Sequence, residues 1–418
     1  MPILALVLFM IFSFAGVIEA ACTGSSPSWT STSDSTSVAS CISSATSGDT
    51  ITVLGSGSVS WSVTSTKALK IVGPGSGTLT VTGSVTYSPT ITEATKTFEL
   101  SGFTFNGNSV FNVRAPTGTN PVTGLKIHNN AFNNASVRAI NFSGLEFGVL
   151  YNNTFANNNI SISVIGAGTA GESYPHTFGS ANYLYVEDNT FGNGTGSFIS
   201  ETGQGGRLAF RHNTITGYNC SGCEGNDIHG DQNSGGTTIS SEYYHNTWTM
   251  ASPTYRWIHH RGGQAIIANN TVSTNLAFNM TEYRAWGGNG ICSAYPAPGQ
   301  IKNTFYFNNM LGGSVRLPSF TNGGNSGSCG SGGETAYLVL NRDYWTPSYG
   351  LASARPATCT ANGNTYYGAT DTDVIYKCTT TNTWTIFFSP YTYPHPLRSG
   401  GSSSDVTPPL PPAGLSVS

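Results

Sequence analysis

Apolar and polar positions alternate along this chain in short, recurring runs. Leu125 and Ile127 flank Lys126, Leu184 and Val186 flank Tyr185, Leu208 and Phe210 flank Ala209, and Ala265 and Ile267 flank Ile266. A period of two marks a strand with one face on a core. Lys126, His128, Tyr185, Glu187, Ala209, Arg211, Ile266 and Ala268 are therefore expected to point outward. Each run ends in an Asn-rich corner, then a small residue or Thr, then an apolar one, as in His128-Asn129-Asn130-Ala131-Phe132, Tyr151-Asn152-Asn153-Thr154-Phe155 and Arg211-His212-Asn213-Thr214-Ile215. The third residues of the copies are Asn130, Asn153, Asn189, Asn213, Asn246, Asn270 and Asn309, spaced 23, 36, 24, 33, 24 and 39 residues apart. A base period of 23–24 with insertions predicts stacked coils, one per repeat. Asn suits the corner because it tolerates a left-handed φ and its amide can bond to the Asn above and below. Helix signals are nearly absent, with no convincing 3.6-residue period over any ten residues.

Composition narrows the class. Of 418 residues only 9% are charged, with net charge −3, while Gly numbers 51 and aromatics reach 11%. A disordered polyelectrolyte, a helical bundle and a nucleic-acid binder working by counterion release are all excluded by these figures. The apolar run Ile3 to Ile18, followed by Glu19-Ala20-Ala21, reads as a signal peptide over 1–21 and predicts secretion. No later segment is long and apolar enough to span a membrane. Cys22, Cys41, Cys220, Cys223, Cys292, Cys329, Cys359 and Cys378 then imply disulfides. A repeat fold contacts its sequence neighbours, which favours Cys22–Cys41, Cys220–Cys223, Cys292–Cys329 and Cys359–Cys378. Zinc on Cys220-x-x-Cys223 with His212 or His229 is the alternative for that pair.

The repeat resembles the right-handed parallel β-helix superfamily, the pectate-lyase-like fold, over roughly Ala39 to Asn309. Cys41 to Val53, containing Gly48-Asp49-Thr50, is similar to the first coil of that group, where a short helix-like stretch precedes the first strand. Ala68 to Gly75 looks like the second coil. The expected fold is all-β: a solenoid over 22–345 and a small β-meander cap or accessory lobe over 346–398. That lobe is built from Tyr366 to Cys378 and Thr383 to Phe387 and stapled by Cys359–Cys378. Residues 399–418 read as a flexible linker whose last six resemble the start of a fibronectin-type domain.

Candidate chemistry is concentrated. Eighteen of the 45 ionisable side chains, His included, lie between Glu187 and Arg284, and every cation there is Arg or His. Aligning Ile199-Ser200-Glu201-Thr202, Ile228-His229-Gly230-Asp231 and Ile258-His259-His260-Arg261 on their isoleucines predicts outward files Ser200–His229–His259 and Thr202–Asp231–Arg261. Arg256, Glu282 and Arg284 approach the same surface. Such a patch suits β-elimination on a uronic-acid polysaccharide. Arg261, Arg256 or Arg284 would neutralise the substrate carboxylate, and His229 or His259 would take the C5 proton. Hydrolysis needs two carboxylates, and Asp231 with Glu201 or Glu282 is the available pair. Tyr244, Trp257, Tyr283 and Trp286 are candidates for stacking on sugar rings, and Asp227, Asp231 and Glu224 for Ca²⁺. The opposing expectation is a non-catalytic, adhesive or tailspike-like solenoid that only binds glycans. A further expected contact is a surface ion pair between Glu187 and Arg211, beside Tyr151 and Tyr244.

Overall fold

The structure, a computed structural model, describes residues 22–116, 120–192, 198–216, 224–230, 236–249, 256–273, 279–283, 299–320 and 337–398. It is 51% strand and 7% helix, a parallel β-solenoid with a small β lobe near its C-terminus. Each coil contributes up to three strands. The strand before the Asn corner joins a 13-stranded sheet that runs from Cys22–Ser25 to Tyr344–Trp345 and is parallel after its first pair. The short strand after the corner, such as Thr154–Ala156 or Thr190–Gly192, joins a second ladder. A third ladder holds Arg138–Ser143, Ile160–Ile165, Phe198–Gly203, Glu224–Ile228, Arg256–His260 and Asn279–Tyr283. The second and third ladders share one strand, Leu79–Tyr87, which pairs with Thr104–Asn106 at one end and Phe111–Arg114 at the other.

The alternation places the core as expected. Leu125, Ile127, Leu184, Val186, Leu208, Phe210, Ala265 and Ile267 are buried in one continuous cluster down the lumen. Phe105, Phe132, Phe155 and Phe191 stack ring on ring at 4.7–5.1 Å between centroids.

The corner asparagines form an unbroken column. Each side-chain oxygen accepts the backbone N–H of the Asn one coil earlier: Asn130 to Asn153 at 3.1 Å, Asn153 to Asn189 at 2.9 Å, Asn189 to Asn213 and Asn213 to Asn246 at 3.0 Å, Asn246 to Asn270 at 3.1 Å, Asn270 to Asn309 at 3.3 Å. The left-handed φ falls one residue earlier than anticipated, on Asn129, Asn152, Asp188, His212, His245, Asn269 and Asn308 (48° to 56°). That position accepts Asn, Asp or His because all three tolerate αL. The column position is Asn in each of these copies, one short amide that donates and accepts at once.

The helix Ser35–Ser44 was not foreseen from periodicity. Asp34 caps it by accepting the Ser37 N–H at 2.8 Å, and Val38, Cys41 and Ile42, spaced on one face, close the first coil. Cys22–Cys41 ties it to the first strand, and Cys359–Cys378 is also formed. Cys220, Cys223, Cys292 and Cys329 lie outside the described residues, as do 1–21 and 399–418.

Strands Ser348–Gly350, Tyr366–Ala369, Ile375–Thr380 and Thr383–Phe388 make the four-stranded lobe. Tyr366, Ile375 and Phe388 pack on Tyr244, Ile266, Ala268, Phe305 and Phe307, the outer face of the first sheet. Residues 391–398 continue along that face as a strap. Arg211 donates to Glu187 at 2.8 Å, to the carbonyls of Tyr391 and Thr392 at 2.7 and 2.8 Å, and to the Tyr244 hydroxyl at 3.1 Å. Arg398 reaches Glu187 at 2.9 Å and also pairs with Asp188, and its guanidinium lies over the Tyr151 ring. The Glu187–Arg211 pair therefore exists between the expected tyrosines, but it is fully buried rather than on the surface.

Candidate functional site

The third sheet carries the ionisable cluster. Its strands pair so that Ser163, Glu201, Asp227, His259 and Glu282 stand in one file across successive coils. The residues between them face the lumen: Ser200 and Thr202 pair with the core residues Ile162 and Val164, and Asn226 and Ile228 follow in the same files.

This register differs from the alignment on isoleucines. Ile228 sits opposite Thr202 and His260, and Ile258 opposite Asn226. Consequently Ser200 and Thr202 turn inward, and neither predicted file forms. A slip of three residues between the first two strands exchanges their faces, whereas the slip of two between the next pair preserves them. Arg261 pairs with Asp227, not with Asp231. Asp231, Arg284 and Trp286 lie outside the described residues, as do the side chains of Glu224, Glu282 and Tyr283.

Asp227 is the hub. Its side chain is 0% exposed and takes the Arg261 fork, Nε on Oδ1 at 2.9 Å and Nη2 on Oδ2. His229 Nε2 lies 2.9 Å from the other face of Oδ2 and 3.0 Å from Glu201 Oε1, so one imidazole edge is shared by two carboxylates. His259 Nδ1 stands 3.5 Å from Asp227 Oδ1, with Arg256 Nη1 3.3 Å from the same nitrogen. Glu201 also accepts from Ser163 at 3.2 Å and from Arg138 at 3.3 Å. Backbone bonds fix the corner: His229 N–H to Thr202 O at 2.8 Å and Arg261 N–H to Ile228 O at 2.9 Å.

Charge follows from this packing. Burial works to raise Asp227, but the His229 and Arg261 charges and the His229 hydrogen bond outweigh it and hold the carboxyl far below its ordinary value. Glu201 is lowered in the same way, burial being overcome by His229 and Arg138. Burial alone would lower His229, yet the Asp227 carboxylate and two hydrogen bonds raise it to about 8. The ring is thus an imidazolium at neutral pH, a proton donor, and becomes the free base anticipated from sequence only above about pH 8. His260 points inward and burial lowers it to about 3, a neutral core residue.

The structure thus unites His229, His259, Arg256 and Arg261, and adds three residues with other anticipated roles or none. Asp227 was a metal candidate, Glu201 a hydrolytic one, and Arg138 carried no sequence signal because it reaches Glu201 from two coils away. Asp227 is already committed to Arg261 and His229, and among the described residues no group of three His, Cys, Asp or Glu side chains forms a metal site. Tyr244 is buried against the lobe and Trp257 is buried edge-on to Trp248 at 5.7 Å, so neither presents a ring to a sugar. Among the described residues, the accessible rim consists of Arg138, whose side chain is 35% exposed, with the edges of Glu201 and His229. No protein-family profile, curated protein or solved structure matches the chain.

Proposed function

We propose that this protein is a secreted β-solenoid that binds an acidic, uronate-containing polysaccharide along the third sheet and cleaves it by β-elimination. The observation that carries this reading is a buried carboxylate, Asp227, that holds an arginine fork and an imidazole together on one outward file. A uronate carboxylate needs a cation as negative charge develops during C5 deprotonation. Arg138 at the rim would bind it, and Arg261, oriented by Asp227, would supply positive charge beneath it. His229 is the base in its neutral form: Nε2–H stays on the two carboxylates, and Nδ1, 2.6 Å from Arg261 Nη2, takes the C5 proton once that N–H turns to the substrate carboxylate, so the rate should climb as pH rises through about 8. Two disulfides, and the absence of a membrane-crossing helix among the described residues, are compatible with an extracellular location.

Hydrolysis is the second reading, favoured by one feature: Glu201 and Asp227 contact the same nitrogen, so two carboxylates stand side by side, too close for the wide spacing of inverting glycosidases. It would use His229 as acid, and its rate would fall through the same pH. The test is a panel of uronic-acid polysaccharides, with and without Ca²⁺, followed by absorbance of unsaturated ends and by reducing-end formation. His229→Gln should abolish unsaturated ends, and Arg138→Ala should raise KM roughly tenfold, the loss of one exposed charge contact. New reducing ends without unsaturation would select hydrolysis. Binding with no new ends of either kind would select the adhesive solenoid.

A further inference from the structure

The lobe ends in an open edge. In the sheet order Ser348–Gly350, Tyr366–Ala369, Ile375–Thr380, Thr383–Phe388, the last strand pairs on one side only among the described residues. Its sequence, Thr383-Trp384-Thr385-Ile386-Phe387-Phe388, carries no charge and no proline. Ile386 is 63% exposed and Phe387 38%. Soluble proteins protect such edges with lysine, proline, a bulge or a covering element. Here the strand carries a bulge at Phe387, whose ring packs on Phe305 and Tyr366, while Trp384, Thr385 and Ile386 before it pair regularly with Cys378, Lys377 and Tyr376. This uncharged, regularly paired run, whose outer backbone groups meet no strand among the described residues, is a short template for another strand.

We infer that this edge pairs with its own copy, joining two chains through one antiparallel, eight-stranded sheet. The strand is suited to itself. A two-fold axis at Thr385 sets Ile386 against Trp384 of the second copy and Trp384 against Ile386, the aromatic–β-branched pairs that stabilise antiparallel ladders. Because the strand is uncharged, no like charges are brought face to face, which is the usual bar to such pairing. An unrelated peptide would need its own match to this pattern, whereas the second copy supplies it at the same concentration as the first. The lobe packs on the first sheet, so the pairing leaves the third-sheet cluster untouched and stands whether or not that cluster is catalytic.

Sedimentation velocity of the oxidised full chain between about 1 and 100 µM is expected to show a reversible monomer–dimer equilibrium. Ile386→Lys should weaken it at least tenfold, because both symmetry-related Ile386–Trp384 pairs are lost and the two lysines stand on the diagonal. Thr385→Lys, at an exposed position, provides a second variant should the first perturb the lobe. Thr385→Cys should form a covalent dimer on mild oxidation, since residue 385 faces itself across the axis, while Lys377→Cys, one strand inward, should not. A chain that stays monomeric over this range, or a dimer unaffected by both lysine variants, would overturn the inference. So would a strong edge-dependent complex with a different extended peptide in place of self-association.

Discussion

Arg211→Met removes the cation from the most buried ion pair of the first sheet while keeping much of its volume. The wild-type guanidinium serves Glu187, Tyr244 and two strap carbonyls from a fully buried position. Removing one partner of a buried pair costs about 3–5 kcal/mol when the other charge is left alone. Glu187 is not left alone: Arg398 and the His395 N–H both remain at 2.9 Å on Oε1. The loss should therefore sit near the lower end, about 3 kcal/mol. It should be felt first where the strap docks, because Tyr391 and Thr392 lose the donor that their carbonyls face. Arg398→Ala removes a side chain that is partly exposed and bound to the same carboxylate from outside, and should cost only about 1 kcal/mol. The assay pairs guanidinium unfolding with amide exchange over residues 389–398. Faster exchange of the strap in Arg211→Met, with the solenoid core unchanged, would match the structure. A midpoint within the error of wild type, or an Arg398→Ala effect as large as that of Arg211→Met, would refute the reasoning that the strap is clamped from beneath.

Two further outcomes are expected. Asn213→Ala deprives the Asn189 N–H of its acceptor and the Val186 carbonyl of a donor, in a position with no solvent. Chemical denaturation should show a loss of about 2–4 kcal/mol, against well under 1 for the exposed αL neighbour Asn152→Gly. His229 is raised on folding from 6.5 to about 8, so its contribution to stability, about 2 kcal/mol, is complete below pH 6.5 and lost as pH climbs through about 8. Buried Glu242, raised to about 7 by desolvation, shifts stability in the same direction. The informative quantity is thus the difference between wild type and His229→Gln in guanidinium midpoint at pH 6 and pH 9, and an equal pH response in both would count against the Asp227–His229 contact.

Local pattern determined most of the architecture. Alternation around Ile127, Val186, Phe210 and Ile267 sufficed for the coil, because a strand's in–out period acts within a few residues. The spacing of Asn130 through Asn309 sufficed for the stack, because each amide must meet its copy one coil away. The same logic brought Glu187 and Arg211 together. The helix Ser35–Ser44 was anticipated only through the resemblance to the first coil of that fold, since ten residues are too few to stand out in a periodicity scan. Tertiary structure decided what the pattern could not. Whether Ser200 or Glu201 points outward depends on strand register, and register is set by turns of unequal length between coils rather than by residues in the strand. The burial of Arg211 depends on the strap, 180 residues away at Tyr391, and that of Tyr244 on the lobe residues Tyr366, Ile375 and Phe388. Asp227, two residues away, is local to His229, but the second carboxylate on the same ring nitrogen, Glu201, arrives from another coil, 28 residues away. Each of these is a long-range coincidence of side chains, and the chain encodes it only through the packing of the whole.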